Sequence, residues 1–177
     1  MPAVILYGAP GAGKDTVTEA LTGLDPDYRI YQRLKVGAGR TAGYRMTTLS
    51  HIDALRGAGD VLWENRRYGA LYVVDRPSLA EMSRVCNPVL HLGQTEAVGA
   101  ITAAIPALQW VVVWLWCPRD IAVERIAERG TGDLTDRLQA WEETEPLPEA
   151  DLSINTAEVC PVDAAAKIRS QVNALRC

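Results

Sequence analysis

One stretch, Gly8-Ala9-Pro10-Gly11-Ala12-Gly13-Lys14-Asp15-Thr16, limits the fold of this chain more than any other. It follows the apolar run Ala3-Val4-Ile5-Leu6-Tyr7 and precedes a segment with helical spacing. Strand, glycine-rich turn, lysine and helix in that order make a P-loop. The backbone N–H groups of such a loop wrap around nucleotide phosphates, and the helix points its positive end at them. The three glycines let the backbone come close. Lys14 is placed to reach the terminal phosphates of a donor such as ATP, where charge moves during transfer. One position departs from the G-x-x-x-x-G-K-[ST] pattern. Asp15 stands where Ser or Thr is expected, and Thr16 follows it. Either residue is a candidate to hold Mg²⁺, directly or through water.

With 177 residues the chain is long enough for a single domain with a sizeable core. A net charge of −4 argues against a nucleic-acid-binding surface. The cysteines at 86, 117, 160 and 177 show no C-x-x-C spacing and no paired histidine, so neither a zinc site nor a disulfide framework is expected. No apolar stretch is long enough to span a membrane, and the first apolar run lacks the basic start of a signal peptide. The expectation is a cytoplasmic monomer or homodimer acting on small molecules.

Apolar runs and helical patterns alternate, which predicts an α/β fold with a mainly parallel sheet. Strands are expected at 3–7, 28–34, 89–92, 110–116 and 152–155. The run Trp110-Val111-Val112-Val113-Trp114-Leu115-Trp116 has no polar residue and predicts a strand buried on both faces. Residues 61–64 and 71–75 read as a small hairpin. Helices are expected at 14–22, 50–55 with Ser50 as N-cap, from Pro77, 94–104, 119–129, 134–144 and 162–175.

Two further groups of residues carry chemistry. Arg125 and Arg129 are four apart and share a helical face, and Arg137 follows on the next helix. Arginines around Gly130-Thr131-Gly132-Asp133 would in isolation read as a solvated charged surface, but after a P-loop at this distance they are read as a lid that closes over phosphoryl groups. The second group holds Arg33, Lys35, Arg40, Tyr44, Glu64, Asn65, Arg66, Arg67, Tyr68 and Tyr72. Its basic members fit an acceptor phosphate, and its carboxylate and amide fit a base or sugar. A polar surface hairpin would use the same residues. His91 ends an apolar strand and is read as a polar contact or acid/base group at the strand edge, or as a hydrogen-bonded core residue. Asp75 is read as the cap of the Pro77 helix in preference to a metal ligand.

The order of these pieces resembles guanylate kinase and related nucleoside monophosphate kinases along nearly the whole chain. The resemblance rests on residues 8–16, on 59–69, on Arg129-Gly130-Thr131 with Arg137-Leu138, and on Ile154-Asn155. It implies a three-layer P-loop NTPase fold, with an acceptor-binding subdomain at about 33–75 and a lid at about 125–140. It implies ATP and Mg²⁺ as cofactors, with transfer to a small phosphorylated acceptor. Lys14, Arg129 and Arg137 would be catalytic. Residues 8–16, Arg125 and Asn155 would hold ATP. Arg33, Arg40, Tyr44, Glu64, Tyr68, Tyr72 and His91 would lie at the acceptor. Where the family has Asp-x-Asp after its middle strand, this chain has His91-Leu92-Gly93, and the acceptor arginines are respaced. The Gly-Lys-Asp-Thr ending is similar to that of viral deoxynucleoside monophosphate kinases and of ribose 1,5-bisphosphate phosphokinases. A nucleoside or deoxynucleoside monophosphate is the expected acceptor, with a sugar phosphate or specialised metabolite as the alternative. A non-catalytic guanylate-kinase-like binding module, against which the intact Gly13-Lys14 argues, is the third reading.

Overall fold

The computed structural model describes residues 2–130 and 133–175. Thr131 and Gly132 of the expected lid, and Cys177, lie outside the described residues. The elements begin with β1 (Pro2–Tyr7), α1 (Lys14–Leu24), β2 (Tyr28–Ile30), β3 (Leu34–Val36), β4 (Arg45–Met46) and α2 (Leu49–Ala58). They continue with β5 (Val61–Arg67), β6 (Ala70–Asp75), α3 (Arg76–Val85), β7 (Asn87–Leu92), α4 (Thr95–Ala104) and β8 (Gln109–Trp116). The last are α5 (Arg119–Glu128), α6 (Leu134–Glu142), β9 (Leu152–Asn155) and α7 (Pro161–Ala174).

β1 is the middle strand of a parallel sheet ordered β2-β7-β1-β8-β9, and all six of its residues are buried. Its side chains alternate between two cores, as a strand covered on both faces must. Val4 and Leu6 join Val111, Val113 and Leu115 against Leu21 of α1 and Ile168 and Val172 of α7. Ile5 and Tyr7 join Leu90 and Leu92 in a cluster with Leu79 of α3 and Ile101 of α4. Helix, sheet and helix make three layers.

β8 differs from its sequence expectation. Val111, Val113 and Leu115 are fully buried, but Trp110, Val112 and Trp114 are only half-buried and Trp116 is exposed. Beside the strand's C-terminal end a cavity of about 390 Å³ opens, bounded by Trp114, Trp116 and Trp141. The apolar run thus has one closed face and one partly open face.

The expected strand at 28–34 divides between two sheets. β2 pairs with β7 at the edge of the main sheet, whereas β3 pairs with β4 and β6 in a second sheet ordered β4-β3-β6-β5. Tyr31 sits at the division. Its N–H bonds Val89 O, and its hydroxyl donates to the Asp75 carboxylate at 2.8 Å. The second sheet packs Leu34, Leu71 and Val73 on Ile52 of α2. Thr48, not Ser50, caps α2: its side chain accepts from His51 N, while Ser50 lies inside the helix. The β5–β6 turn is Tyr68-Gly69, with φ of 53° and 68°. Both values suit a two-residue hairpin whose twist matches its strands.

Asp75 joins the two sheets. It caps α3 by accepting from Ser78 N at 3.0 Å, bonds Tyr31, and forms an ion pair with Arg45. Burial raises the Asp75 pKa more than any single partner lowers it, but the hydrogen bonds from Ser78, Arg45 and Tyr31 together hold its carboxyl below the usual carboxylate range. Replacing Asp75 with Ala removes the cap and strands Tyr31 and Arg45. The expected loss is about 2–4 kcal/mol of unfolding free energy by urea titration, and Asp75→Asn should lose less because an amide oxygen still caps.

Candidate active site

β1 ends between β7 and β8, and the chain turns at once into the P-loop. Gly8 has φ 157°, and a Cβ there would lie 2.2 Å from Leu115 O. Gly13 has φ 84° and occupies the N-cap of α1 without any side-chain bond to the first turn. The N–H groups of that turn therefore remain open to an anion. Lys14 folds back over the loop and donates from Nζ to Gly8 O at 2.6 Å and Ala9 O at 2.8 Å. Burial lowers its pKa to about 8, with Arg33, Arg129 and Arg137 adding to the effect and Asp15 opposing it. Three guanidinium groups from two other parts of the chain thus act on the Lys14 charge.

Asp15 lies among them. Its Oδ2 is 3.2 Å from Arg129 Nη2, and its Oδ1 is 3.4 Å from His91 Nδ1. The hydrogen bond with His91 is the main cause that holds its carboxyl well below the usual carboxylate range; Arg129 and Lys14 act the same way, against burial. Burial also lowers the His91 pKa, so the ring is neutral near pH 7. His91 Nε2 is 2.7 Å from Thr18 Oγ1. Thr16 faces elsewhere and lines a cavity on the β9 side of the P-loop.

That cavity holds about 530 Å³ between the P-loop and the segment after β9, with Gly11, Gly13, Arg125, Thr156 and Val159 on its walls. Arg125 ties the walls together. It donates to Gly11 O at 3.1 Å and to Thr156 Oγ1 and O, both at 2.9 Å. Asn155 shapes the same wall, its Oδ1 accepting from Ala157 N at 3.1 Å. Thr156 is a site residue that sequence reasoning missed. Its one signal is a hydroxyl directly after the strand-ending Asn155.

On the other side of the P-loop, the second sheet presents a cross-strand row of Lys35, Tyr72 and Asn65. Residues directly opposite on adjacent strands share a face. Tyr44 meets Tyr72 with ring centroids 5.2 Å apart. The Arg33 guanidinium lies 5.2 Å from the Tyr72 centroid and 5.9 Å from that of Tyr44. Lys35, 2% exposed, donates to Ala38 O and Arg40 O, both at 2.7 Å, and so shapes the 37–43 loop. Arg40 itself is exposed and bonds Ala42 O. Arg137 stacks over Tyr68 at 5.5 Å and bonds Asp133 at 2.7 Å, while Arg67 pairs with Glu143 at 3.0 Å. Those contacts bring α6 onto the hairpin turn.

Glu64 lies opposite Val73, on the α2 face, one residue out of step with Tyr72. Arg56 of α2 holds its carboxylate through two oxygens at 2.9–3.0 Å. Asn65 occupies the row that Glu64 leaves. The period of two in a strand is the reason. Asp75 is occupied by its cap and its two side-chain partners, as described above. Among the described residues no group of three or more His, Cys, Asp or Glu could hold a metal alone. The residues present do fit Mg²⁺ shared with phosphates, which takes one or two protein oxygens.

No protein-family model matches the chain, and no curated protein matches its sequence. The structure is similar to guanylate kinase from Anaplasma phagocytophilum, with 15% identity, a TM-score of 0.59, and coverage of 99% of this chain and 85% of that one. It is similar to a gluconokinase from Sinorhizobium meliloti 1021, with 18% identity, a TM-score of 0.58, and coverage of 99% and 95%. A sugar kinase from Janibacter sp. HTCC2649 gives 13% identity, a TM-score of 0.58, and coverage of 98% and 95%. The likeness is one of fold: the chain has the α/β fold of the P-loop kinases. No helix among the described residues is long and apolar enough to cross a membrane.

The partly buried Lys14 makes stability depend on pH. Its folded pKa of about 8 lies below its ordinary value of 10.5, so the native state releases its proton first as pH rises. Native protein is penalised below pH 8 and gains stability between there and pH 10.5. Relative to Lys14→Met, the wild type should gain on the order of 3 kcal/mol across that window in urea titrations. A bound phosphate anion should flatten the gain, because it favours the ammonium.

Proposed function

We propose that this protein is an ATP-dependent phosphotransferase that moves the γ-phosphoryl group of ATP onto a small phosphorylated acceptor. The observation that carries the reading is the convergence of Lys14, Arg33, Arg129 and Arg137. Burial together with three neighbouring guanidinium groups makes the Lys14 charge unfavourable in the free protein. Arg33 has no carboxylate partner among the described residues, and it lies against two tyrosine rings instead. A site that gathers positive charge in this way is complementary to several phosphates in line.

In this reading the 530 Å³ cavity takes the donor's base and ribose. The open first turn of α1 takes its phosphates. Lys14 leaves the carbonyls of Gly8 and Ala9 and follows the charge onto the transferred group. Arg129 and Arg137, from the two sides of the 129–133 connection, neutralise the oxygens shared between donor and acceptor. Arg33 orients the acceptor phosphate so that one of its oxygens lies in line with the bond that breaks. The attacking oxygen belongs to a phosphate and is already anionic, so no general base is required. Asp15 is the residue placed to hold Mg²⁺, which when bound neutralises charge on the donor phosphates. Closure of α6 on the hairpin would exclude water and limit hydrolysis of ATP.

A nucleoside or deoxynucleoside monophosphate is the first reading of the acceptor, because Tyr44 and Tyr72 offer ring faces beside Arg33 and Asn65 offers an amide. A sugar phosphate is the second. It is favoured by the engagement of Glu64 with Arg56, which leaves that carboxylate unavailable to a base.

Nucleoside monophosphates, deoxynucleoside monophosphates and sugar phosphates should be offered singly with Mg-ATP, and products followed by ³¹P NMR. Transfer to a nucleotide supports the first reading, and transfer to a sugar phosphate alone supports the second. No transfer to any of them sinks both. Lys14→Ala should lower kcat by at least about 10²-fold while the fold persists by circular dichroism. Arg137→Ala should lower kcat by about 10²-fold with ATP affinity nearly unchanged, and an unchanged kcat removes it from the reaction.

A further inference from the structure

Two side chains beside the P-loop have no part in the reaction as proposed: Thr18 on α1 and His91 near the end of β7. Both are well covered. Thr18 is 6% exposed, and the His91 side chain is 15% exposed. Thr18 Oγ1 lies 2.7 Å from His91 Nε2, and His91 Nδ1 lies 3.4 Å from Asp15 Oδ1. A carboxylate only accepts, so the ring proton sits on Nδ1. The neutral ring then accepts at Nε2, and the Thr18 hydroxyl is the donor. Direction runs one way, from Thr18 through His91 to Asp15. Asp15 and Thr18 are three apart and share one side of α1. The pairing of His91 with Leu6 brings β7 to that side.

The Thr18–His91 hydrogen bond leads, across the longer 3.4 Å contact of His91 with Asp15, to a carboxylate with capacity left. His91 engages Oδ1 and Arg129 engages Oδ2, yet each carboxylate oxygen offers about two lone-pair positions. The Asp15 side chain is 47% exposed and directly follows Lys14. It occupies the position where P-loops carry the metal-binding hydroxyl. Thr16, the nearest hydroxyl in sequence, lines the nucleotide-side cavity instead.

We propose that Thr18 and His91 are positioning residues that orient the Asp15 carboxylate as this protein's ligand for the divalent cation of the donor nucleotide. The proposal rests on the donor-nucleotide reading above. Outer partners of this kind fix the geometry of a metal ligand, and their loss costs about 10–100-fold in metal affinity.

The test is calorimetric titration of the intact chain with ADP, once with Mg²⁺ and once with EDTA. The ratio of the two affinities is the gain due to metal. A Mn²⁺ titration of the ADP complex followed by electron paramagnetic resonance reads metal affinity directly. Asp15→Asn should abolish most of the gain and leave metal-free ADP binding equal or tighter. Thr18→Val and His91→Phe should each cut the gain about tenfold, with metal-free binding unchanged. His91→Asn keeps a donor at the Nδ1 position and should keep most of the gain. Adding Thr18→Val to His91→Asn should then change nothing more, because Thr18 acts only through the ring. A full gain in Asp15→Asn overturns the ligand assignment, and a full gain in Thr18→Val and His91→Phe overturns the positioning roles. If His91→Phe loses metal-free binding through misfolding, the nearly isosteric Thr18→Val decides. Failure of the wild type to bind ADP in either buffer overturns the donor reading itself, an outcome distinct from the others.

Discussion

The close approach of Gly8 to the Leu115 carbonyl is the constraint on which the rest of the site depends. A parallel sheet sets β1 between β7 and β8, and the chain must leave that slot within one residue. With 2.2 Å between a hypothetical Cβ and Leu115 O, only glycine can make the turn. The turn then aims the N-terminus of α1 back across the ends of the strands. Everything that follows, from the open first turn to the fold of Lys14 over its own loop, is set by that exit.

Charge is the second organising term. Arg33, Arg129 and Arg137 act on Lys14, and burial together with their repulsion lowers its pKa to about 8. Asp15 offsets part of this by pairing with Arg129, and Asp133 does so for Arg137. Arg33 leans on the electron-rich faces of Tyr44 and Tyr72. An arrangement that is electrostatically unfavourable when empty favours a polyanionic ligand, and it also limits the stability of the free protein.

The elements that could be read from the sequence were those whose signal is local. The P-loop, the helices on either side of residues 129–133, the cap at Asp75 and the existence of the β5–β6 hairpin depend on residue types at fixed short spacings. What could not be read depends on partners far along the chain. Residues 28–34 carry one apolar pattern, yet Tyr31 is drawn to Val89 and Asp75, and the strand divides between two sheets. Glu64 and Asn65 are adjacent, and a strand must send them to opposite faces. Which one meets Tyr72 is a matter of register with β6. Thr156 and Thr18 gave almost no signal, since each acquires its role from a single distant group, Arg125 or His91.

By itself the sequence determined a P-loop, an α/β fold around it, and the cations that would serve a phosphate donor. It also marked Asp15 as a departure. Tertiary structure alone decided what that departure touches. Asp15 is held by Arg129 and His91 because α5 and β7 converge on the first turn of α1, while Thr16 faces the cavity on the other side. The exposed chemistry of the second sheet, too, was decided only by strand pairing: Lys35, Tyr72 and Asn65 form one row, and Glu64 is held by Arg56 on the other face. The physical reason is the same in both cases. Side-chain chemistry is written locally, but the direction in which a side chain points is set by register and packing across the fold.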